Sequence, residues 1–188
     1  MSEVYPITTD RRGNAAADIV FVHGLGGDKR ATWQSSKAQD SFWPAWLAED
    51  LPRVCVYSLG YDASPSAWLG NAMPLSDRAT NLLALMEAEQ LGARPIVWVC
   101  HSLGGLVVKQ LLRTAATLGQ ASWRRFAEHT KAVVFLATPH AGARLANYVE
   151  LLGRVLRTTV TVEELNANDA HLRELTQWYR NYAQQLKI

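Results

Sequence analysis

Val99-Cys100-His101-Ser102-Leu103-Gly104-Gly105-Leu106 is the stretch that decides the fold. The apolar run Ile96 to Cys100 ends in a small, glycine-rich turn and a helical pattern begins at once, with a serine at the apex. A strand that turns sharply through a serine into a helix lifts the hydroxyl clear of the sheet edge. Gly104, two residues after the serine, keeps a side chain out of the space where strand and helix nearly touch. The position two residues before it wants a small residue for the same reason. Here that residue is Cys100 and not glycine, so the motif is the variant C-H-S-L-G, with a thiol still small enough to fit. Beyond it, Leu106, Val107, Leu111, Ala115 and Leu118 cover more than half of a helix surface, as expected of the helix most deeply packed on a sheet.

Two further apolar runs resemble the strand that enters the turn. Asp18 to His23 is continuous enough for a strand covered on both faces. It ends in Gly24-Leu25-Gly26-Gly27, whose glycines let backbone N–H groups approach a ligand. Lys131 to Ala137 has the same character and ends in Thr138-Pro139-His140-Ala141-Gly142. Between them, Arg53 to Ser58 makes a strand, and residues 3–9 carry a weak strand signal. Helices are expected from Ser41, as N-cap, to Glu49, and from Ser76, as N-cap, through Ala79, Leu82, Leu83 and Met86. Others are expected over Ser122 to His129, Leu145 to Leu156, and from the capping-box pattern at Thr161 to a last helix with Leu172, Leu175, Tyr179, Tyr182 and Leu186 on one face. This alternation implies a single α/β domain over residues 1–188, with a mostly parallel sheet, helices on both faces, and functional loops at the carboxyl ends of the strands.

Composition narrows the function. The 188 residues are 48% hydrophobic and 19% charged with a net charge of +2. That suits a packed globular domain and argues against nucleic-acid binding, since no block of like charge occurs. The amino terminus has no signal-peptide pattern and no run approaches the roughly 18 apolar residues of a membrane span, so a cytoplasmic protein without a transmembrane segment is expected. Cys55 and Cys100 lie in apolar strand-like runs and are expected as packed free thiols. No cofactor or metal site is implied.

Val22-His23-Gly24-Leu25-Gly26-Gly27, Cys100-His101-Ser102-Leu103-Gly104-Gly105 and Phe135-Leu136-Ala137-Thr138-Pro139-His140-Ala141-Gly142 occur in the order and spacing of lipase-like α/β-hydrolases. The chain most resembles the serine-active-site-containing protein group and its bacterial relatives, over roughly residues 16 to 186. Bacterial lipases and the inositol deacylases of GPI anchors are further off. The resemblance implies the α/β-hydrolase fold and hydrolysis of a carboxylic ester, whether lipid, acyl ester or thioester.

On that footing Ser102 is the candidate nucleophile, forming an acyl-enzyme once a base removes its proton. The bland alternative is a serine that caps the next helix. Backbone N–H groups of Leu25 and Leu103 are the candidate oxyanion hole. A phosphate loop is excluded by the missing Gly-Lys-Ser/Thr ending. His23 and His101 flank these loops in structural roles, and His171 belongs on the surface. Glu128 and His129 precede the last strand and belong to the opposite end of the sheet. The resemblance treats the Thr-Pro-His segment as loop-shaping, and His140 is kept as a surrogate general base. The acid and histidine that normally follow on later loops are not evident, so the fold is expected to be truncated at its carboxyl side. Lys131 to Ala137 has the pattern of an interior strand, yet no later strand is legible to cover its far edge. Two functions remain open: an esterase whose base and acid come from elsewhere, and a catalytically incomplete interaction module. The latter's exposed edge strand would pair with itself or a partner chain. Trp33, Tyr61 and Trp68 could line an acyl pocket, or be ordinary core and rim residues.

Overall fold

The computed structural model describes residues 2–8, 13–35, 40–64, 74–118, 120–140 and 162–188, with side chains in the last segment described from residue 170 onward. Five strands form one sheet: β1 (Glu3–Pro6), β2 (Ala17–Val22), β3 (Val54–Gly60), β4 (Ile96–His101) and β5 (Thr130–Leu136), in the order β1-β3-β2-β4-β5. β1 runs antiparallel to β3, and the other pairings are parallel. From β2 the chain steps to β3 on one side, then returns to β4 and β5 on the other. The topological switch therefore lies between β2 and β4, where an open parallel sheet presents its ligand crevice. The register pairs Val22 with Cys100, which brings the carboxyl ends of these two strands level.

Side chains alternate across β2, and each set meets a different layer. Val20 and Val22 join Tyr57, Leu59, Trp98 and Cys100 in one core. The helices α2 (Leu75–Ala88), α3 (Gly104–Thr117) and α4 (Ala121–Glu128) cover it, with Tyr179 of α5 (Val162–Leu186). Ile19 and Phe21 face the opposite way onto Trp33, Phe42 and Ala48, beneath α1 (Trp43–Asp50). α3 is the most enclosed helix, burying Leu106, Val107, Val108, Leu111 and Leu112. Each such side chain contributes about 1.5–3 kcal/mol relative to leaving it exposed. At the amino end of the sheet the buried Asp18 carboxylate accepts two hydrogen bonds from Arg94, of 2.7 and 3.1 Å.

Several local expectations shift. Ser41 does not cap α1, which begins after Phe42; its hydroxyl instead donates to the Ser35 carbonyl and accepts the Ser35 N–H. α2 begins after Pro74, so Ser76 lies inside its first turn. β5 is an edge strand among the described residues. Val133 and Phe135 pack against the core, whereas Val134 and Leu136 on its other face are 42% and 37% exposed, so the expected cover on both faces is not observed. The expected helix Leu145 to Leu156, Thr161 of the capping box, and Trp68 lie outside the described residues. Trp33 and Tyr61 are buried, and both cysteines are buried free thiols.

Candidate active site

The end of β4 forms the turn that the sequence implies. Ser102 has φ of 56°, in the left-handed region that side chains rarely occupy. Three backbone contacts hold it there. Its N–H donates to the Leu136 carbonyl (2.8 Å), while its carbonyl accepts the Thr138 hydroxyl (2.9 Å) and the Gly105 N–H (3.2 Å). The loop after β5 thus grips the elbow from the side. Ser102 is only 2% exposed, and its Oγ has no hydrogen-bond partner among the described residues. A helix-capping serine would have its hydroxyl on a backbone N–H. α3 shows no side-chain cap, so the capping alternative fails.

The loop after β2 lies directly on this serine. A Cβ at Gly24 would sit 2.6 Å from Ser102 Cβ and 2.7 Å from its Oγ, distances that only glycine avoids. Gly26 N–H donates to the Ala63 carbonyl (2.7 Å) and Gly27 N–H to that of Gly24 (3.0 Å). The N–H groups of Leu25 and Leu103 have no acceptor among the described residues.

His23 supports the loop from below. Its ring is buried, its Nδ1 lies 3.1 Å from the Gly24 carbonyl, and it stacks on Tyr61 with centroids 4.3 Å apart. Burial holds its pKa below the usual imidazole value, so it is a neutral ring donating from Nδ1. The Tyr61 hydroxyl donates to the His23 carbonyl, and the Arg78 guanidinium donates to the Asp62 carbonyl while lying 5.6 Å from the Tyr61 ring. Asp28 accepts the N–H groups of Arg30 (2.8 Å) and Ala31 (3.0 Å), chiefly the latter keeping its carboxyl below the usual range. A cleft of about 330 Å³ opens here, lined by His23, Tyr61, Asp28, Lys29 and Asp62. Tyr61 is a supporting residue that sequence reasoning left between pocket and core. Its only signal is its place directly after a strand end.

The histidines are all accounted for. His101 packs edge-on to Trp33 at 6.2 Å, and desolvation lowers its pKa. His129 Nδ1 is 2.7 Å from the Gly92 carbonyl, at the opposite end of the sheet, and His171 is exposed. His140 is exposed with its Nδ1 3.0 Å from Lys109 Nζ, and it makes no hydrogen bond to Ser102 Oγ. The structure thus pairs the expected surrogate base with Lys109 through Nδ1 and not with the serine hydroxyl. Among the described residues there is no cluster of three or more histidine, cysteine or acidic side chains able to hold a metal. No helix among them is long and apolar enough to cross a membrane.

Residues 19–186 match the model of the Alpha/beta hydrolase family. The chain belongs to that family. This α/β-hydrolase is 31% identical to Protein SERAC1 of Homo sapiens, over 89% of its own length and 28% of that protein's. The figures for Protein SERAC1 of Danio rerio are likewise 31%, 89% and 28%, so the chain spans less than a third of the length of these relatives. Among solved structures it resembles the Bacillus licheniformis lipase BlEst2 with a TM-score of 0.55 and 20% identity, covering 98% of this chain and 65% of the lipase. One of the carboxylesterases of Nitrososphaera gargenis superposes with a TM-score of 0.52 at 14% identity, covering 94% and 61%. Both show the α/β-hydrolase fold.

Proposed function

We propose that this α/β-hydrolase is a serine hydrolase of carboxylic esters, with a lipid, acyl ester or thioester as substrate and Ser102 as its nucleophile. The observation that carries this reading is the Ser102 hydroxyl itself: without a hydrogen-bond partner among the described residues, at a strained turn, and at the switch point of a parallel sheet. A base takes the Oγ proton as oxygen attacks the ester carbonyl, and the alcohol or thiol leaves with a proton. Water then releases the acyl group from the serine. The N–H groups of Leu25 and Leu103 receive the oxyanion, and losing one such donor costs about 100- to 1000-fold in rate. None of the five histidines hydrogen-bonds Ser102 Oγ, and this reading takes the base from outside these 188 residues.

A fluorophosphonate probe followed by intact mass tests the reading. One adduct is expected, on Ser102, absent from Ser102→Ala, and formed slowly by the 188 residues alone because the oxyanion hole survives without its base. The absence of any adduct in the longest form of the protein would remove the enzyme. Fast ester turnover abolished by His140→Ala would return His140 to the role of base.

A second reading, an interaction module whose β5 edge pairs with another chain, is favoured by the exposure of Val134 and Leu136 on that edge strand. Light scattering separates the two. A concentration-dependent dimer dispersed by Val134→Lys, with no probe adduct, would favour the module.

A further inference from the structure

Lys109, in the second turn of α3, is fully buried, yet no carboxylate pairs with it among the described residues. Its ammonium lies 3.0 Å from His140 Nδ1 on the loop after β5, and donates to Thr176 Oγ1 of α5 at 3.1 Å. It also lies 5.5 Å from the Phe135 ring centroid and 5.6 Å from that of Tyr179. Phe135 meets His140 edge-on at 4.8 Å and Tyr179 edge-on at 5.5 Å, which closes an aromatic box around the charge. Aromatic faces and two hydrogen bonds replace the usual counter-ion. One side chain thus joins a helix, a strand, the loop that grips the elbow, and the last helix.

The chemistry of the pair is directional. An ammonium has donors and no acceptor, so His140 Nδ1 must be the acceptor and carry no proton. The neutral ring then holds its proton on Nε2. We propose that Lys109 is a positioning residue, fixing His140 as the neutral Nε2–H tautomer and pinning the loop that carries Thr138 against the helix behind Ser102. This assignment stands whether or not Ser102 is a working nucleophile.

The charged and titratable surroundings agree with it. Cys100 on β4 and Tyr179 on α5 are the other titratable groups beside Lys109, and burial raises the pKa of both, so each is neutral near pH 7. Arg113, one turn further along α3, pairs with Glu174 of α5 and not with this cluster. Burial lowers the Lys109 pKa to about 8, which leaves it mostly an ammonium at neutral pH. Partial burial and the neighbouring Lys109 charge hold the His140 pKa below its usual value.

Two-bond ¹H–¹⁵N correlation spectra of the ¹⁵N-histidine-labelled chain test the proposal without any substrate. His140 is expected to show an unprotonated Nδ1 and a protonated Nε2, and to titrate below the usual imidazole value. In Lys109→Met the ring should populate both tautomers and bind a proton more tightly than in the parent chain. Amide exchange over Thr138 and His140 should quicken at the same time. A protonated Nδ1, or ordinary titration of His140 with Lys109 in place, would overturn the assignment. Should Lys109→Met fail to fold, the tautomer of the parent chain still decides, and Thr176→Val supplies the milder variant. Loss of the Thr176 bond should leave the His140 tautomer unchanged, and a switch to the Nδ1–H form would count against the proposal.

Discussion

Replacing Gly104 by alanine measures how closely helix and strand are pressed together beneath Ser102. A Cβ at residue 104 would overlap the carbonyl oxygens of Val22 and His23 and come within 3.0 Å of the His23 carbonyl carbon. These are backbone atoms at the end of a central strand, so no rotamer change makes room. α3 must retreat from β2 by roughly 1 Å to restore an ordinary contact of about 3.5 Å. Overpacking costs about 1–3 kcal/mol, and an obstacle made of backbone puts this substitution near the upper end. At about 2–4 °C per kcal/mol for a chain of this length, the melting temperature should fall by about 6–12 °C. The same retreat carries the Leu103 amide away from the loop at Gly24, and a misplacement of about 1 Å costs about 100-fold in rate. Thermal melts and the second-order rate of fluorophosphonate labelling read the two effects. Gly13→Ala is the control, since nothing lies within 4 Å of that Cβ. A Gly104→Ala protein that melts and labels like its Gly13→Ala counterpart would refute the close approach.

Ser102→Gly should be more stable than Ser102→Ala by about 0.5–1 kcal/mol in urea unfolding. Left-handed backbone costs a non-glycine residue about 1–2 kcal/mol, and glycine's greater unfolded-state entropy returns only part of that. Thr138→Val removes the 2.9 Å bond to the Ser102 carbonyl, and a loss of about 1–2 kcal/mol with slower labelling is expected. Stability should also fall as pH drops from about 7.5 to 5.5, taking the unfolded histidine pKa as about 6.5. Burial depresses the pKa of His23, His101 and His140, so the folded protein binds fewer protons than the unfolded chain below pH 6.5. Their contribution is complete above that value and lost on acidification; a higher urea midpoint at the lower pH would reverse the sign and refute it. Lys109, at about 8, is protonated in both states through most of this interval and leaves the direction unchanged.

The strands and the elbow were legible because buried parallel strands write continuous apolar runs, and a serine between an apolar run and two glycines leaves few other folds. β1 was faint for the opposite reason. It is an antiparallel edge strand whose Val4 and Tyr5 are only half-buried and which ends at Pro6. Ser41 and Ser76 misled because cap chemistry is local, while α1 begins where Phe42 meets the core and α2 begins directly after the exposed Pro74. The Lys109 cluster could not be inferred from spacing, since His140, Thr176 and Tyr179 converge only through the fold. Its one trace was a lone cation inside the apolar stretch Leu106 to Leu112. Gly24 was legible as a permissive residue, but not as the one whose missing side chain leaves room for Ser102.

Tyr61 keeps one contact of the site protonated further into alkali than a surface tyrosine would. Its phenol is fully enclosed, and desolvation raises its pKa well beyond that of a surface tyrosine. The bond it donates to the His23 carbonyl persists where exposed phenols have already become phenolates. Titration of Tyr61 therefore does not loosen the platform under the glycine loop at moderately alkaline pH. Should probe labelling decline at high pH, the titrating group must be sought elsewhere than Tyr61, with Lys109 behind the elbow the first scaffold residue to lose its charge.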